Sequence, residues 1–214
     1  MLVIRANVPT CVAGTWDDSA SSADKTRLRI MTCGFASAIN QDGKGACVTL
    51  EGPRCLSAHL FREWARYATI HVPNPVEWAS GRVPPPTFPD WAQMWKPLTM
   101  SAWLRAARDL GVRYRFVYAD YTCTWLGGST GSAYGLCPRD DLAYMLSEGL
   151  VERRPAGSPA TICLTVSTRF SGCGSARVYA DIERFAIAAG FRPERLHSEL
   201  YNRTMYYVAV NLHA

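Results

Sequence analysis

The sequence predicts an α/β fold: a mostly parallel, doubly wound sheet between two helix layers, with a carboxyl-terminal antiparallel hairpin. From residue 27 to residue 190, short apolar strand patterns alternate with amphipathic helix patterns. This alternation is typical of a three-layer αβα sandwich. The last two strand patterns are separated only by Asn202 and Arg203. So short a connection predicts an antiparallel hairpin.

The composition is that of one globular domain. The chain has 214 residues, 48% of them hydrophobic and 19% charged, which is enough apolar material for a real core and too little charge for wholesale disorder. Residues 12–26 are small and polar. We therefore expect an N-terminal arm at 1–26 and a single α/β domain at 27–214.

The first half of the domain contains three strand patterns, a loop at 32–45 with a short helical turn, and one longer helix pattern. The strands are predicted at 27–31 (RLRIM), 46–51 (ACVTLE) and 69–72 (TIHV). A helix is predicted at 57–68, capped by Ser57, because its apolar residues recur at helical spacing. Those apolar residues are Leu60, Phe61, Trp64, Ala65 and Ala68.

The second half continues the alternation. Strands are predicted at 113–121, 160–167, 192–201 and 204–212, and helices at 99–111, 138–150 and 175–190. The first of these helices should turn Trp103, Leu104, Ala107 and Leu110 inward and end at Gly111. Pro138 and two aspartates suit the amino end of the second. Ser175 should cap the third, which should end at Gly190.

A segment rich in proline and tryptophan interrupts the pattern at 73–97. Its seven prolines exclude regular helix or central strand over most of its length. Trp78, Trp91 and Trp95 could stack on unpaired bases, and Arg82 and Lys96 could contact phosphates. A rigid loop that uses its tryptophans as a small core of its own is the alternative.

Chemically useful residues follow three predicted strands. Small residues come after the first: Thr32, Cys33, Gly34, Phe35 and Ala36. Glu51, followed by Gly52, closes the second, and Asp120 and Tyr121 end the fourth. In open α/β sheets, ligands bind beyond such carboxyl ends. Glu51 comes 17 residues after Gly34, which is near the spacing of an acid that accepts both ribose hydroxyls. A plain turn and a solvated strand-end charge are the alternatives.

From residue 27 to about residue 212, this arrangement resembles the class I S-adenosylmethionine-dependent methyltransferases. The resemblance rests on RIMTCGFAS, Glu51, YADYTCTW at 118–125 and the closing hairpin. It implies that S-adenosylmethionine is the cofactor, held by the small-residue loop 32–36, by Glu51 and Gly52, and by Asp120. The loop contains a single glycine, where the family usually has two or three after an acid.

Methyl transfer is an in-line displacement, so the enzyme mainly positions the nucleophile and the methyl group. The resemblance places Asp120 and Tyr121 beside the transferred methyl. Asp120 could orient or deprotonate the nucleophile, and Tyr121 could stack on a planar substrate. The net charge of +5 permits a phosphate-rich partner. A methyltransferase acting on nucleic acid is thus the favoured function, with Trp78, Trp91, Trp95 and Arg82 as candidate substrate contacts.

Two other classes stay open. The first is a binding protein that kept the fold but lost catalysis, such as a viral or phage accessory protein. The second is a cysteine hydrolase that uses Cys33 near a helix start, although the spacing singles out no histidine as its base. We expect no metal, no membrane span and a reducing compartment such as the cytoplasm, possibly of a host cell, because there is no zinc-type spacing or long apolar run.

Overall fold

The computed structural model describes residues 23–50, 56–73, 91–96, 98–127, 137–155, 158–168 and 174–214. The helices in these ranges are α1 (Ala23–Ile39), α2 (Leu56–Glu63), α3 (Trp91–Met94), α4 (Met100–Asp109), α5 (Pro138–Ser147) and α6 (Ser175–Ala188). The strands are β1 (Ala46–Leu50), β2 (Thr69–Pro73), β3 (Trp95–Lys96), β4 (Phe116–Thr124), β5 (Ala160–Ser167), β6 (Arg192–Tyr201) and β7 (Met205–His213).

The described strands form one seven-stranded sheet in the order β3-β2-β1-β4-β5-β7-β6. Strands β1 to β5 pair in parallel, whereas β7 lies antiparallel between β5 and β6. The predicted fold class is therefore confirmed. The chain runs outward from β1 to β3 and then returns to place β4 on the other side of β1, so strand order reverses between β1 and β4.

Each face of the sheet is covered by its own apolar cluster. Helices α4, α5 and α6 pack on one face, where Trp125 and Met100 are fully buried. Helices α1 and α2 cover the other face, around Phe61, Phe116 and Tyr207. Phe61 meets Phe116 edge to face, with 5.2 Å between ring centroids. Each layer thus removes a large aromatic surface from water, which is the main stabilisation of such a sandwich.

The strand predicted at 27–31 is wrong, because residues 23–39 form helix α1. The alternation of arginine with Leu28 and Ile30 imitates a strand, yet Leu28, Thr32 and Ala36 recur every four residues and are all buried. Thr32 Oγ1 donates to the carbonyl of Leu28 at 2.7 Å and meets Tyr207 Oη at 2.8 Å. Helix α1 also begins at Ala23, inside the predicted arm, whose residues 1–22 lie outside the described ranges.

Helix α2 is shorter than predicted and starts at Leu56, so Ser57 is a buried residue inside it and not its cap. Helix α4 matches its prediction at the start, where Thr99 Oγ1 accepts from the amide of Ala102 at 3.2 Å. Leu110 was expected to face inward but is 70% exposed, because the helix ends at Asp109. Gly111 has φ +70 and ends the turn as predicted.

The later elements follow the sequence pattern closely. Helix α5 has Pro138 at its start and Asp140 and Asp141 in its first turn. Helix α6 begins after Gly174, without a side-chain cap from Ser175. The β6–β7 turn passes through Asn202 and Arg203 at φ 48 and 61. Within the described ranges, no helix combines the length and apolar character needed to cross a membrane.

Candidate functional site

The strand-order reversal places a candidate site at the carboxyl ends of β1 and β4. Leu50, the last residue of β1, pairs with Ala119 of β4. Asp120 follows Ala119 and is half-buried. Open α/β sheets bind ligands in the crevice outside such a switch point. Asp120 therefore lies one residue beyond the level at which β1 ends, beside the reversal of strand order.

Strand β4 is irregular just beyond Asp120. Asp120 pairs with Thr165, but the next paired residue of β4, Thr124, meets Ser167. Three residues of β4 (121–123) thus lie opposite one residue of β5, Val166, which is a bulge. Bulges bend the strand and redirect its side chains, and they are frequent beside active sites. No periodicity in the sequence predicts this feature, since it arises from the pairing of two distant strands.

Tyr121 is turned into the core instead of the crevice. Its side chain is only 2% exposed, and Tyr121 Oη donates to Asp141 Oδ2 at 2.8 Å. The Asp141 carboxylate, in the first turn of α5, also accepts from Ser101 Oγ in α4. Burial raises the pKa of Asp141 to about 6. The stacking role predicted for Tyr121 does not fit this position; the side chain instead ties β4 to α4 and α5.

Asp141 and Ser101 are the polar residues near this edge that sequence reasoning missed. Asp141 was recognised only as an acid suited to the amino end of a helix. The available signal is Asp140–Asp141 after Pro138, which predicts one acid on the surface and one turned inward. Nothing in the sequence connects either acid to Tyr121, about 20 residues earlier.

The small residues 32–36 lie in the middle of α1 and not in a loop after a strand. Thr32 and Ala36 are fully buried and Cys33 is 4% exposed. Gly34 is on the exposed side of the helix, and an added Cβ there would have no neighbour within 4 Å. The predicted loop at these positions is therefore wrong.

Cys33 is also unsuited to the nucleophile role of the hydrolase alternative. It lies within α1 and away from its amino end, and its Sγ donates to the carbonyl of Leu60 at 3.7 Å. Burial raises the pKa of the Cys33 thiol to about 11. The reactive form of cysteine is the thiolate, so this thiol stays protonated and inert at neutral pH.

Because α1 replaces the predicted first strand, ACVTL becomes the first strand of the sheet and no longer the second. Glu51 and Gly52 follow it directly in the sequence and lie outside the described residues. The second strand now ends at Pro73, which is followed in the sequence by Asn74 and Pro75. Glu51 thus follows the first strand. The ribose role was predicted for an acid that follows the second strand, so the strand count no longer supports that role for Glu51.

The proline-rich segment is described only at its carboxyl end. Trp78 and Arg82 lie outside the described residues, as does the side chain of Trp91, the first residue of α3. Trp95 is in β3 and packs partly buried against the α1–α2 cluster. Lys96 Nζ donates to the carbonyl of Gln93 at 2.9 Å and lies 5.4 Å from the ring centroid of Trp103. The nucleic-acid contacts predicted for this segment stay predictions.

Solved methyltransferase structures share this architecture. A precorrin-6y C5,15-methyltransferase from Geobacter metallireducens superposes with a TM-score of 0.53 at 8% identity, covering 88% of each chain. A SAM-dependent methyltransferase from Agrobacterium tumefaciens gives 0.55 at 10% identity, covering 89% of this chain and 62% of its own. TYW2 from P. horikoshii, in complex with MeSAdo, superposes with a TM-score of 0.51 at 8% identity, covering 87% of this chain and 62% of TYW2.

No protein-family model and no curated protein sequence matches the chain. At such low identities, the structural likeness establishes the fold alone. The class that the sheet order and the neighbours define is the Rossmann-like fold of the class I S-adenosylmethionine-dependent methyltransferases.

Proposed function

We propose that this protein is an S-adenosylmethionine-dependent methyltransferase that acts on nucleic acid. The observation that carries the proposal is the half-buried Asp120 beside the β1–β4 switch point, in a fold that superposes on methyltransferase structures. A carboxylate in that place is suited to accept hydrogen bonds from a nucleoside or from an incoming nucleophile. The bulge that follows Asp120 supports the same reading.

The residues around the switch point fit this cofactor in kind. Glu51 and Gly52 directly follow β1 in the sequence, which is the order of acid and glycine usual in the family's cofactor loop. We therefore assign Glu51, Gly52 and Asp120 to cofactor binding and withdraw residues 32–36. When bound, S-adenosylmethionine supplies a methyl group already activated by its sulfonium.

The chain's own contribution to transfer is positional. Asp120 would orient the acceptor atom and accept the proton that this atom gives up. Tyr121, the next residue of β4, fixes this part of the strand to α5 by donating a hydrogen bond to Asp141. Because Asp141 also accepts from Ser101, three elements meet at one buried carboxyl group. This anchoring keeps the strand end that carries Asp120 in a single geometry.

Nucleic acid as the acceptor is supported by charge and by the tryptophan-rich segment. The chain carries 23 lysines and arginines against 18 acids, and a positive surplus favours association with phosphates. Trp78, Trp91 and Trp95 supply flat apolar surfaces on which unpaired bases could stack.

A second candidate is a methyltransferase-like fold that binds without turnover. The observation that favours it is the end of β2, because Pro73 is followed by Asn74 and Pro75 and the next acid in the sequence is Glu77. The family's second strand closes with the acid that binds the cofactor's ribose. Lack of an acid directly after this strand weakens the case for an intact cofactor site.

Calorimetric titration with S-adenosylmethionine tests the proposal. Wild type should bind, Glu51→Ala and Asp120→Asn should each weaken binding by about tenfold, and Asp109→Asn should bind as wild type does. Asp109 is a matched control because it is 66% exposed at the end of α4. The absence of binding heat in wild type would overturn the proposal and favour the inactive fold. Equal losses in all three variants would place the cofactor elsewhere.

A further inference from the structure

A buried aspartate gathers two arginines on the outer surface of α5 and α6. Asp181 lies in α6 and its side chain is 13% exposed. Its Oδ2 accepts from Trp125 Nε1 at 3.0 Å and from Arg139 Nε at 3.3 Å, whereas its Oδ1 accepts from Arg184 at 2.7 Å. The carboxylate is therefore held from the core side by the indole and orients one guanidinium with each oxygen.

One aromatic ring supports both guanidinium groups. The Cζ atoms of Arg139 and Arg184 lie 5.3 Å and 5.0 Å from the ring centroid of Phe185. A guanidinium that stacks on a ring and forms one ion pair loses much of its rotational freedom before any ligand arrives. Each still has N–H donors beyond those bonded to Asp181, because arginine carries five.

The charge of this surface favours an anion. Arg177 is exposed and lies seven residues before Arg184, two helical turns away on the same face of α6. Within the described ranges, the acids that form ion pairs with Arg139 and Arg184 are Asp181 and the exposed Asp140, which is 3.3 Å from Arg139 Nη1. Water screens the exposed pair strongly. The surface thus keeps a positive surplus, presented by side chains with fixed planes.

The position of the surface relates it to the candidate site. Arg139 is in the first turn of α5, and Trp125 directly follows β4. Both therefore lie toward the carboxyl edge of the sheet, the edge that carries Asp120.

We propose that Arg139 and Arg184, with Arg177 beside them, bind the phosphodiester backbone of a nucleic-acid substrate. The inference rests on the proposed function, because it assigns the substrate of that same edge. Bidentate guanidinium–phosphate contacts are strong and independent of base sequence. The surface therefore positions the strand, and selection of the methylated base falls to residues nearer Asp120.

Fluorescence anisotropy with a labelled single-stranded RNA, and with DNA of the same sequence, tests the inference over a range of salt concentrations. Arg139→Gln and Arg184→Gln should each weaken binding about fivefold and lower the slope of log K against log salt by about 0.7. Arg184→Lys keeps the positive charge but loses the paired N–H donors of the guanidinium. Its affinity for the nucleic acid should therefore lie between those of wild type and Arg184→Gln.

Arg108→Gln is the matched control, because Arg108 is 45% exposed at the far end of α4 and also pairs with two acids. It should bind within twofold of wild type. Equal weakening in this control would overturn the inference, as would absence of binding in wild type or competition by polyglutamate as effective as that by RNA. Melting temperatures show whether a variant binds weakly because it is unfolded. If the glutamine variants melt at a lower temperature than wild type, the affinity of Arg184→Lys tests the inference instead.

Binding of S-adenosylmethionine separates this inference from the proposed function. Arg184→Gln should bind S-adenosylmethionine as wild type does, because the arginine lies away from the switch point. Wild-type protein that binds RNA through Arg184 but gives no heat with S-adenosylmethionine would overturn the methyltransferase proposal and support the phosphate surface. The opposite result, a normal cofactor titration without RNA binding, would overturn the surface alone.

Discussion

Tyr121 Oη donates to Asp141 Oδ2 at 2.8 Å inside the core, and this bond joins the end of β4 to the first turn of α5. Both residues are nearly inaccessible, at 2% and 3% exposure. A carboxyl group in such a place is costly to ionise even with two donors, since water is replaced by apolar neighbours. The pair therefore links the geometry of the candidate site to the protonation of one buried acid.

Stability should fall as pH rises through the titration range of Asp141. Burial raises its pKa from 3.8 to about 6, so the folded protein holds this proton more tightly than the unfolded chain. The contribution is fully present below pH 3.8 and is lost as pH approaches 6. Relative to wild type, Asp141→Asn should gain about 2 kcal/mol between pH 4 and pH 7.

Urea unfolding of both proteins across that pH range measures this difference. Asp140→Asn is the control, since it removes a carboxylate from the same helical turn at a position that is 68% exposed. If the difference in unfolding free energy between Asp141→Asn and wild type does not change with pH, the pKa of Asp141 is not raised by folding and the burial of this carboxyl group is wrong.

Two glycines should respond to alanine in opposite directions. A Cβ on Gly45 would lie 2.7 Å from Arg115 Cδ and 2.8 Å from Asn40 Oδ1, both in a packed network. Gly45→Ala should therefore lower the unfolding free energy by about 1–3 kcal/mol. Gly34 lies in helix α1 with open space around it, so Gly34→Ala should stabilise by about 1 kcal/mol.

Thermal melts of the two variants check this pair. Gly34→Ala also reports on the helix that replaced the predicted strand. A destabilised Gly34→Ala protein would contradict the helical assignment of residues 23–39.

Cys33 should resist alkylation in the native protein. It is 4% exposed and burial raises its thiol pKa to about 11, so neither access nor the thiolate is available. Cys137 is half-buried and should be modified first of the two. Iodoacetamide labelling at pH 8, followed by peptide mass spectrometry, measures both rates. Rapid native labelling of Cys33 would revive the hydrolase alternative.

Arg115 should be the most costly charged residue to remove at the amino edge of the sheet. Its side chain is 6% exposed and forms ion pairs with Glu152 and Asp42, the former at 3.0 Å. It also donates to Asn40 Oδ1 at 3.3 Å. Arg115→Ala should cost about 3 kcal/mol, because it leaves several acceptors without their donor.

Glu152→Gln should cost about 1 kcal/mol, since Glu152 is 31% exposed and Arg115 keeps its other partners. Chemical denaturation of the two variants gives the comparison. Equal costs would mean that the Glu152 pair, and not the wider network, holds Arg115.

Local patterns predicted several elements well. Strand β5 occupies the predicted range 160–167, and β6 occupies the predicted 192–201. In β5, the β-branched residues Thr161, Ile162, Thr165 and Val166 carry that information. For β6, the signal is the turn that follows at Asn202 and Arg203, which the structure extends to Thr204. The parallel pairing of β1, β4 and β5 also follows from alternation, because strands joined by helical crossovers lie parallel, whereas the order of the strands comes from the structure.

The elements that failed depend on contacts between distant residues. In α1, arginines at 27 and 29 alternate with Leu28 and Ile30 as in a strand. A helix is more stable than a strand here because Leu28, Thr32 and Ala36 then share one buried face. On that face, Thr32 forms a hydrogen bond with Tyr207, which lies 175 residues away. Propensity is a weak prior that such packing overrides.

The sequence by itself therefore determined the class of fold and the antiparallel end, and it placed Asp120 in the fourth strand, although that strand continues to Thr124 and does not end at residue 121 as predicted. Only the tertiary structure decided that α1 precedes the first strand, that Tyr121 points to Asp141, and that Asp181 gathers Arg139 and Arg184. The reason is physical: periodicity reports which face of an element is apolar, whereas hydrogen bonds between buried polar groups depend on which elements become neighbours.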